Sequence, residues 1–250
     1  MQEILRFQNV SLTYQAENGE IAALENINFT VHQGELVGIL GPSGCGKSTL
    51  LSLIAGLEKP THGHIFVAGE EVKGVSQKIG YMLQKDNLLD WRTIRGNVHL
   101  GLEIGGKLNS KNTQYVSHLL KTYGLEEFAD KRPAQLSGGM RQRAALIRTL
   151  ASKPDLLLLD EAFSALDYQT RLVVQADVCN ILRSEKKTAM IVTHDISEGI
   201  TMADRLIVLS KRPGGIKRDM LLDFTTQNRR DDPRFREYFN LIWKELDVHV

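Results

Sequence analysis

Short apolar or alternating runs crowd the first forty residues: Ile4–Phe7, Val10–Tyr14, Ile21–Leu24, Ile27–Val31 and Glu35–Leu40. They read as strands, with turn signals at Asn18-Gly19 and Gln33-Gly34 between them. The unbroken apolar stretch Leu36-Val37-Gly38-Ile39-Leu40 reads as a buried strand. His64–Ala68 and Ile79–Leu83 continue the strand pattern. From residue 88 to 152 the period changes and becomes helical, most clearly over Thr113–Tyr123 and Gly139–Ala151. Strands and helices then alternate. Leu156–Leu159 is a buried strand, Arg171–Ser184 a helix, Ala189–Thr193 a buried strand, Asp195–Ala203 a helix and Arg205–Leu209 the last strand of the core. Near the end, Asp232-Pro233 offers an N-cap followed by proline at the first helical position. Phe235, Tyr238, Phe239, Ile242 and Leu246 then recur at helical spacing, an apolar stripe expected to pack on the chain's own core.

This order predicts an α/β fold: a mostly parallel sheet, an N-terminal antiparallel β layer, and a helical lobe inserted between Gln84 and about Pro154. Composition changes little in that picture. The 250 residues are 42% hydrophobic and 24% charged, as in ordinary globular proteins. Thirty-one basic against 30 acidic residues give a net charge of +1, so no global field attracts nucleic acid or an anionic membrane. Clusters such as Lys211-Arg212 and Arg229-Arg230 read as solvated surface. Two cysteines, Cys45 and Cys179, make neither a disulfide framework nor a zinc spacing and fit a reducing cytosol. The N-terminus lacks the pattern of a signal peptide, and no window of about 18 residues is free of charge, so no segment is expected to span a membrane.

The chemistry enters at Gly41-Pro42-Ser43-Gly44-Cys45-Gly46-Lys47-Ser48-Thr49. This fits the phosphate-binding pattern G-x-x-x-x-G-K-[ST] and lies between a predicted strand and a helix over Ser48–Gly56. That arrangement aims backbone N–H groups and a helix N-terminus at one spot, which suits a polyphosphate. Lys47 would neutralise the β- and γ-phosphates, and the Ser48 hydroxyl would ligate Mg²⁺. Cys45 occupies a free position of the pattern and reads as a small filler. A second site element is Leu156–Leu159 followed by Asp160 and Glu161. A buried strand that ends in two acids delivers carboxylates to a ligand crevice. Asp160 would hold the Mg²⁺ shell and Glu161 would act as general base on water. A third is Leu136-Ser137-Gly138-Gly139-Met140, which opens a helix and offers another anion-receiving N-terminus. Two such loops in one chain suggest two nucleotides or a composite site shared between two chains.

With these motifs in this order, the sequence resembles the ATP-binding cassette (ABC) ATPases over nearly its whole length. Residues 41–49 match Walker A and 156–161 match Walker B. Residues 136–140 match the signature, with Met140 where the family usually has Gln. Gln84 matches the Q-loop, Ser164-Ala165-Leu166-Asp167 the D-loop and His194 the switch histidine. Tyr14 matches the aromatic that stacks on adenine. Ala162 is a second departure, since many relatives have Pro after the catalytic Glu. Asp167 also suits an N-cap for the helix that follows.

The resemblance implies one ABC ATPase domain over 1–250: a P-loop nucleotide-binding core of 1–84 and 154–220, a helical signature subdomain of 85–153 and a helical tail of 221–250. It implies ATP and Mg²⁺ as ligands, with metal contacts from Ser48, Gln84 and Asp160. His194 and Gln84 would contact the γ-phosphate and the metal with its water. Two copies would pack head-to-tail, so that Ser137, Gly139 and Asp167 of one complete the site of the other. Further implied partners are membrane permease subunits and, indirectly, a substrate-binding protein, with no nucleic acid, and a place at the cytoplasmic membrane face. The segment Lys85–Arg92 is where a permease would dock. Its Leu88, Leu89 and Trp91 either face a groove or cap the lobe's own core. The stretches GYMLQKDNLLDWRTIRGNV and LSKRPGGI look most like importers of the nitrate, sulfonate and taurine class. Efflux, or soluble work on ribosomes or nucleic acid, are the alternative roles.

Overall fold

The computed structural model describes residues 2–17, 19–224, 226 and 229–246, so Asn18 of the first expected turn and residues 247–250 of the expected tail lie outside the described residues. The chain divides into two compact units, Met1–Ser76 with Cys179–Val250, and Gln77–Val178.

The first unit opens with two long strands, β1 (Glu3–Ala16) and β2 (Gly19–His32), where the run pattern suggested four short ones. They pair antiparallel, with register shifts between Phe7 and Val10 and between Leu12 and Thr13. Asn9 and Asn26 lie in the left-handed region, at φ 49° and 47°. Asparagine tolerates that region through local side-chain bonds, and Asn28 Oδ1 accepts from the Asn9 N–H at 2.8 Å. The polar breaks are thus bulges within continuous strands. The phenyl rings of Phe7 and Phe29, directly opposite in register, stack with centroids 4.7 Å apart. Strand β3 (Leu36–Leu40) follows and is buried throughout. After it come helix α1 (Lys47–Ile54) and strands β4 (His62–Val67) and β5 (Glu70–Glu71). The order β2-β1-β4-β5 makes a four-stranded antiparallel sheet.

In the second unit β6 (Ile79–Met82) pairs in parallel with β7 (Leu156–Asp160). Leu156, Leu157, Leu158 and Leu159 are each fully buried. A strand covered on both faces has no reason to alternate, and each such leucine contributes about 2 kcal/mol of apolar burial. Between them lie α2 (Ile94–Ile104), α3 (Ser110–Thr122) and α4 (Gly138–Ala151). Thr93, Asn109 and Ser137 cap these helices, their side chains accepting from the N–H groups of Gly96, Asn112 and Met140. Buried faces at Val98 and Leu102, at Val116, Leu119 and Leu120, and at Ala144, Ile147 and Leu150 hold the helices together. Helix α5 (Tyr168–Ser184) carries the chain back to the first unit.

There β8 (Ala189–Val192), α6 (Ile196–Met202), β9 (Arg205–Leu209), β10 (Ile216–Leu221) and α7 (Arg234–Glu245) complete the fold. Strand β3 lies between β8 and β9, parallel to both. Strand β10, which the sequence pattern did not indicate, pairs antiparallel with β9, so β9 is not the last strand. Its Lys217-Arg218-Asp219 sequence lacks the apolar alternation of a strand. It gains a cross-strand ion pair instead, Arg205 Nη2 to Asp219 Oδ2 at 2.5 Å. The tail helix begins one residue later than expected, at Arg234, with Pro233 in the cap position. Asp232 still acts as an acceptor, its Oδ1 receiving the Arg234 N–H at 3.0 Å.

Gly63 marks where β4 meets the β1 bulge. Its φ is +82°, and a Cβ there would lie 2.3 Å from the Asn9 carbonyl oxygen. Gly63→Ala is expected to lower stability by about 2 kcal/mol or more, from left-handed strain plus overlap with backbone that cannot move aside. Urea unfolding of the two proteins checks this, and equal midpoints would refute it.

Candidate functional site

In the first unit the phosphate loop hangs from the end of β3. Gly44 and Gly46 take φ +74° and +104°, conformations closed to most side chains. A Cβ on Gly46 would lie 2.7 Å from Leu24 Cδ2, and one on Gly41 2.6 Å from Cys45 Sγ. Left-handed backbone at Gly44 and Gly46 and close neighbours at Gly41 and Gly46 favour glycine at these places. Helix α1 starts from Gly46 with no side-chain cap. Lys47 is buried, 7% exposed, and its Nζ donates to the carbonyl oxygens of Gly41 and Pro42 at 2.8 and 3.1 Å. A buried cation solvated by its own loop's carbonyls, beside a glycine cradle and a helix N-terminus, fits an anionic polyphosphate. Ser48 and Thr49 follow on the first turn of α1.

The LSKRPGGI stretch braces this loop. Gly214 donates its N–H to the Ala23 carbonyl at 2.9 Å, and its own carbonyl accepts from Glu25 at 3.0 Å. A Cβ on Gly214 would lie 2.0 Å from the Cys45 carbonyl oxygen. The sequence signal was present as a glycine pair. What it lacked was any sign that the pair abuts residue 45.

His194 belongs to the same unit. The Thr193 N–H donates to the Ile39 carbonyl at 3.2 Å, which continues the β3–β8 ladder, and His194 emerges one residue later, exposed. The loop and His194 thus leave the carboxyl ends of neighbouring parallel strands, where α/β proteins bind ligands. The Asp195 N–H bonds Thr193 Oγ1 at 3.0 Å, and the Asp195 carboxylate caps α6 through Ser197 and Glu198. Tyr14 stands on β1 opposite Ile21 and is half-buried.

The second unit assembles the carboxylates. Register places Tyr81 opposite Leu158, and the Tyr81 hydroxyl donates to Asp160 Oδ2 at 3.2 Å. Tyr81 was not singled out from the sequence, because one hydroxyl in a strand carries no motif. Glu161 is left-handed, φ 45°, which turns the chain sharply after the strand. Such strain persists only where the surroundings hold it. Here Ser164 Oγ and the Ser164 N–H both donate to the Glu161 carbonyl, at 2.9 and 3.0 Å. Gln84 Nε2 donates to Glu161 Oε2 and to Ser164 Oγ, both at 3.2 Å. Gln84 and Glu161 are therefore directly linked. Asp167 accepts from the Thr170 N–H at 3.1 Å, and hydrogen bonds from Thr170 hold its carboxyl below the usual range.

Ser137 and Gly139 open α4. Ser137 caps it, while a Cβ on Gly139 would lie 2.9 Å from Thr170 Cγ2, so Gly139 permits close packing against the start of α5. Helix α4 also grips the segment after Gln84. Arg141 Nε donates to Asp86 Oδ2 at 3.0 Å, and Arg148 donates to the carbonyls of Asn87 and Asp86 at 2.6 and 2.7 Å. Burial pulls the Arg148 guanidinium below its ordinary value, opposed by Asp86. Of the three apolar residues in that segment, Leu88 is buried, Leu89 half-buried and Trp91 72% exposed. Leu88 joins the unit's core and Trp91 faces out.

Burial pushes the Cys45 thiol above its usual value, against the pull of Lys47, and pushes Cys179 up to about 11. A raised thiol pKa leaves little thiolate at neutral pH, and thiolate is the reactive form. Both cysteines should resist iodoacetamide at pH 7.5 in the folded protein and react fully in urea. Mass spectrometry of the alkylated protein reads this directly, and rapid native labelling of Cys45 would contradict the buried geometry.

Residues 24–164 match the ABC transporter family. An uncharacterised ABC transporter ATP-binding protein, YtlC of Bacillus subtilis, is 44% identical over 97% of this chain and 95% of its own. A taurine import ATP-binding protein, TauB of Ruegeria pomeroyi, is 39% identical over 92% of this chain and 86% of its own. Among solved structures, the ATP-binding cassette MJ0796, a dimer in a post-hydrolysis state bound to ADP and Pi, superposes with a TM-score of 0.74. It is 33% identical, over 88% of this chain and all of that one. With these likenesses the chain is an ATPase, and it belongs to the ABC transporter family.

Proposed function

We propose that the chain is the ATP-hydrolysing subunit of a membrane importer for a small solute of the nitrate, sulfonate or taurine kind. The observation that carries the reading is likeness over nearly the full length to proteins named for taurine import. In this reading the core comprises 1–84 and 154–220, the signature subdomain 85–153 and the tail 221–250. No helix among the described residues is long and apolar enough to cross a membrane. Work at the membrane's cytoplasmic face then requires permease subunits, and the exposed Trp91 is a suitable apolar contact for them.

The roles follow from chemistry. The 41–49 loop binds the phosphates through backbone N–H groups, and Lys47 exchanges its loop carbonyls for phosphate oxygens. Tyr14 offers a ring to the adenine. Ser48, Asp160 and Gln84 supply a hydroxyl, a carboxylate and an amide oxygen, hard donors of the kind Mg²⁺ prefers, and they are the residues that would hold it. Bound Mg²⁺ supplies charge neutralisation on the phosphates. Because Gln84 directs its NH₂ at Glu161, its carbonyl oxygen is the end suited to a cation. Glu161 takes the proton of the attacking water, and His194 contacts the γ-phosphate. Two copies pair head-to-tail, with Ser137, Gly139 and Asp167 of one serving the nucleotide of the other. Closure is then driven by contacts made to ATP and lost with ADP.

Glu161→Gln is expected to cut kcat by about 100-fold or more while ATP affinity changes little. With ATP present the variant should elute as a dimer in gel filtration. Wild-type turnover by this variant would remove Glu161 as the base. An affinity pull-down from detergent-solubilised native membranes should recover a polytopic permease and, through it, a solute-binding protein. Recovery of ribosomes without a permease would overturn the transport reading and leave the ATPase intact.

A further inference from the structure

The described residues of the tail, 221–224, 226 and 229–246, include several that are built onto the helix that follows His194. Helix α6 has only seven residues, and both its ends are held. Asp195, adjacent to His194, caps the first turn. At the other end Arg229, contributed by a 3₁₀ turn at Arg229–Asp231, is 8% exposed and so is not the solvated surface residue its basic cluster suggested, because its guanidinium is taken up by backbone carbonyls. Its Nη1 donates to the carbonyls of Ile200, at 3.1 Å, and of Ala203. Its Nη2 donates to Asp204 Oδ1 at 2.6 Å. The last carbonyls of a helix have no intrahelical donor, and a cation there also interacts favourably with the helix dipole. Arg183 assists from α5, reaching the Met202 carbonyl at 3.4 Å and Asp204 at 3.2 Å.

The guanidinium lies 5.1 Å from the centre of the Phe224 ring, which meets the Tyr238 ring edge-on at 5.4 Å. Tyr238 belongs to α7. One apolar cluster contains Ile196 and Ile200 of α6, Leu40 just before the phosphate loop, and Ile242 of α7, with Phe235 and Phe239 packed against it. Gly199 brings α6 close to β3, since a Cβ there would lie 3.2 Å from Leu40 Cδ1. At its far end α7 is latched to β10, where Arg218 Nε donates to Glu245 Oε1 at 2.7 Å.

We propose that the tail is a positioning device for His194 and that Arg229 is the positioning residue, acting through α6. A seven-residue helix is too short to hold its own shape. Its orientation comes from its clamps, and His194 sits one residue outside the first of them. Release of Arg229 frees the C-terminal turn of α6, so the helix is steadied only from its Asp195 end and its apolar face, and the backbone that carries His194 loses part of its support, while the phosphate loop keeps its grip on nucleotide. The inference rests on His194 acting in turnover.

The test uses the full chain. Arg229→Met keeps the aliphatic volume and removes the donors. It is expected to lower kcat about tenfold through misplacement of a catalytic group, with KM for ATP within about twofold. Arg229→Lys, which restores a cation, should recover part of the loss. In the double variant with His194→Ala, the Arg229→Met change should cost nothing further, because its route is already cut. In the nucleotide-free protein the His194 imidazole peak in NMR spectra should shift or double in Arg229→Met, while those of His62 and His64 stay in place. Multiplicative losses in the double variant, or a folded Arg229→Met with an unmoved His194 peak, overturn the inference. Full turnover by His194→Ala would instead defeat the reading of His194 itself, and the NMR peak still tests the clamp. If Arg229→Met does not fold, Phe224→Leu, a milder change at a half-buried ring, should move the same peak, and an unmoved peak sinks the proposal.

Discussion

The pairing of β3 with β8 and β9 is the constraint on which the first unit depends. Leu36–Leu40 is buried on both faces, so its backbone groups have only the two neighbouring strands to bond. That requirement fixes its register, and register fixes everything that leaves its carboxyl end. Ile39 faces Val192, so Gly41 and His194 emerge side by side. A slip of one residue would turn the buried side chains over and move the histidine away from the loop. Gly38 belongs to the same constraint, since a Cβ there would lie 2.4 Å from Leu206 Cδ2 and 3.0 Å from Ala203 Cβ. The strand's neighbours pack too closely for a side chain at that position.

The second unit solves a different problem. In the proposed role it presents carboxylates that must stay charged and yet be held in place. Asp160 and Glu161 stand at the exit of a strand of four buried leucines, one oriented by a tyrosine hydroxyl and the other by a glutamine. Neutral donors orient a carboxylate without cancelling its charge, as an arginine partner would. Arg141 and Arg148 bind the segment after Gln84, leaving Gln84 itself to touch Glu161. A left-handed Glu161 is the cost of that sharp exit, and Ser164 holds it with two bonds to its carbonyl.

Much of this was legible in the sequence because phosphate binding is written in glycines and their spacing. The strand–loop–helix at 36–54, the leucine run into Asp160-Glu161 and the serine cap of α4 could be read directly. The long strands β1 and β2 looked like four, because a bulge at asparagine and a turn at asparagine carry the same local signal. Strand β10 was hidden because an edge strand can be polar when an ion pair such as Arg205–Asp219 replaces apolar alternation. The supporting residues were the least visible. Tyr81, Gly214, Arg148 and Arg229 act through partners distant in sequence, and composition does not record distance in space.

The exposure of the proposed site residues, taken within each unit, then has a simple physical logic. Gln84, Ser137, Asp167 and His194 are exposed, whereas Val192, Thr193, Leu159 and Leu136 beside them are buried. Each polar tip is anchored through backbone in a close-packed strand or helix start. Close-packed interiors deform little, so the tips are positioned without being covered. Strong electrostatic catalysis needs such groups to be pre-placed, because reorganising them during reaction would consume the stabilisation they provide. It also needs water displaced when substrate arrives, and exposed tips can meet a ligand only if nothing of their own unit blocks them. The same reasoning explains why supports such as Gly214, Arg148, Ser164 and Tyr81 lie behind the exposed tips. In the proposed role they hold the geometry from behind and leave the chemistry to the residues in front.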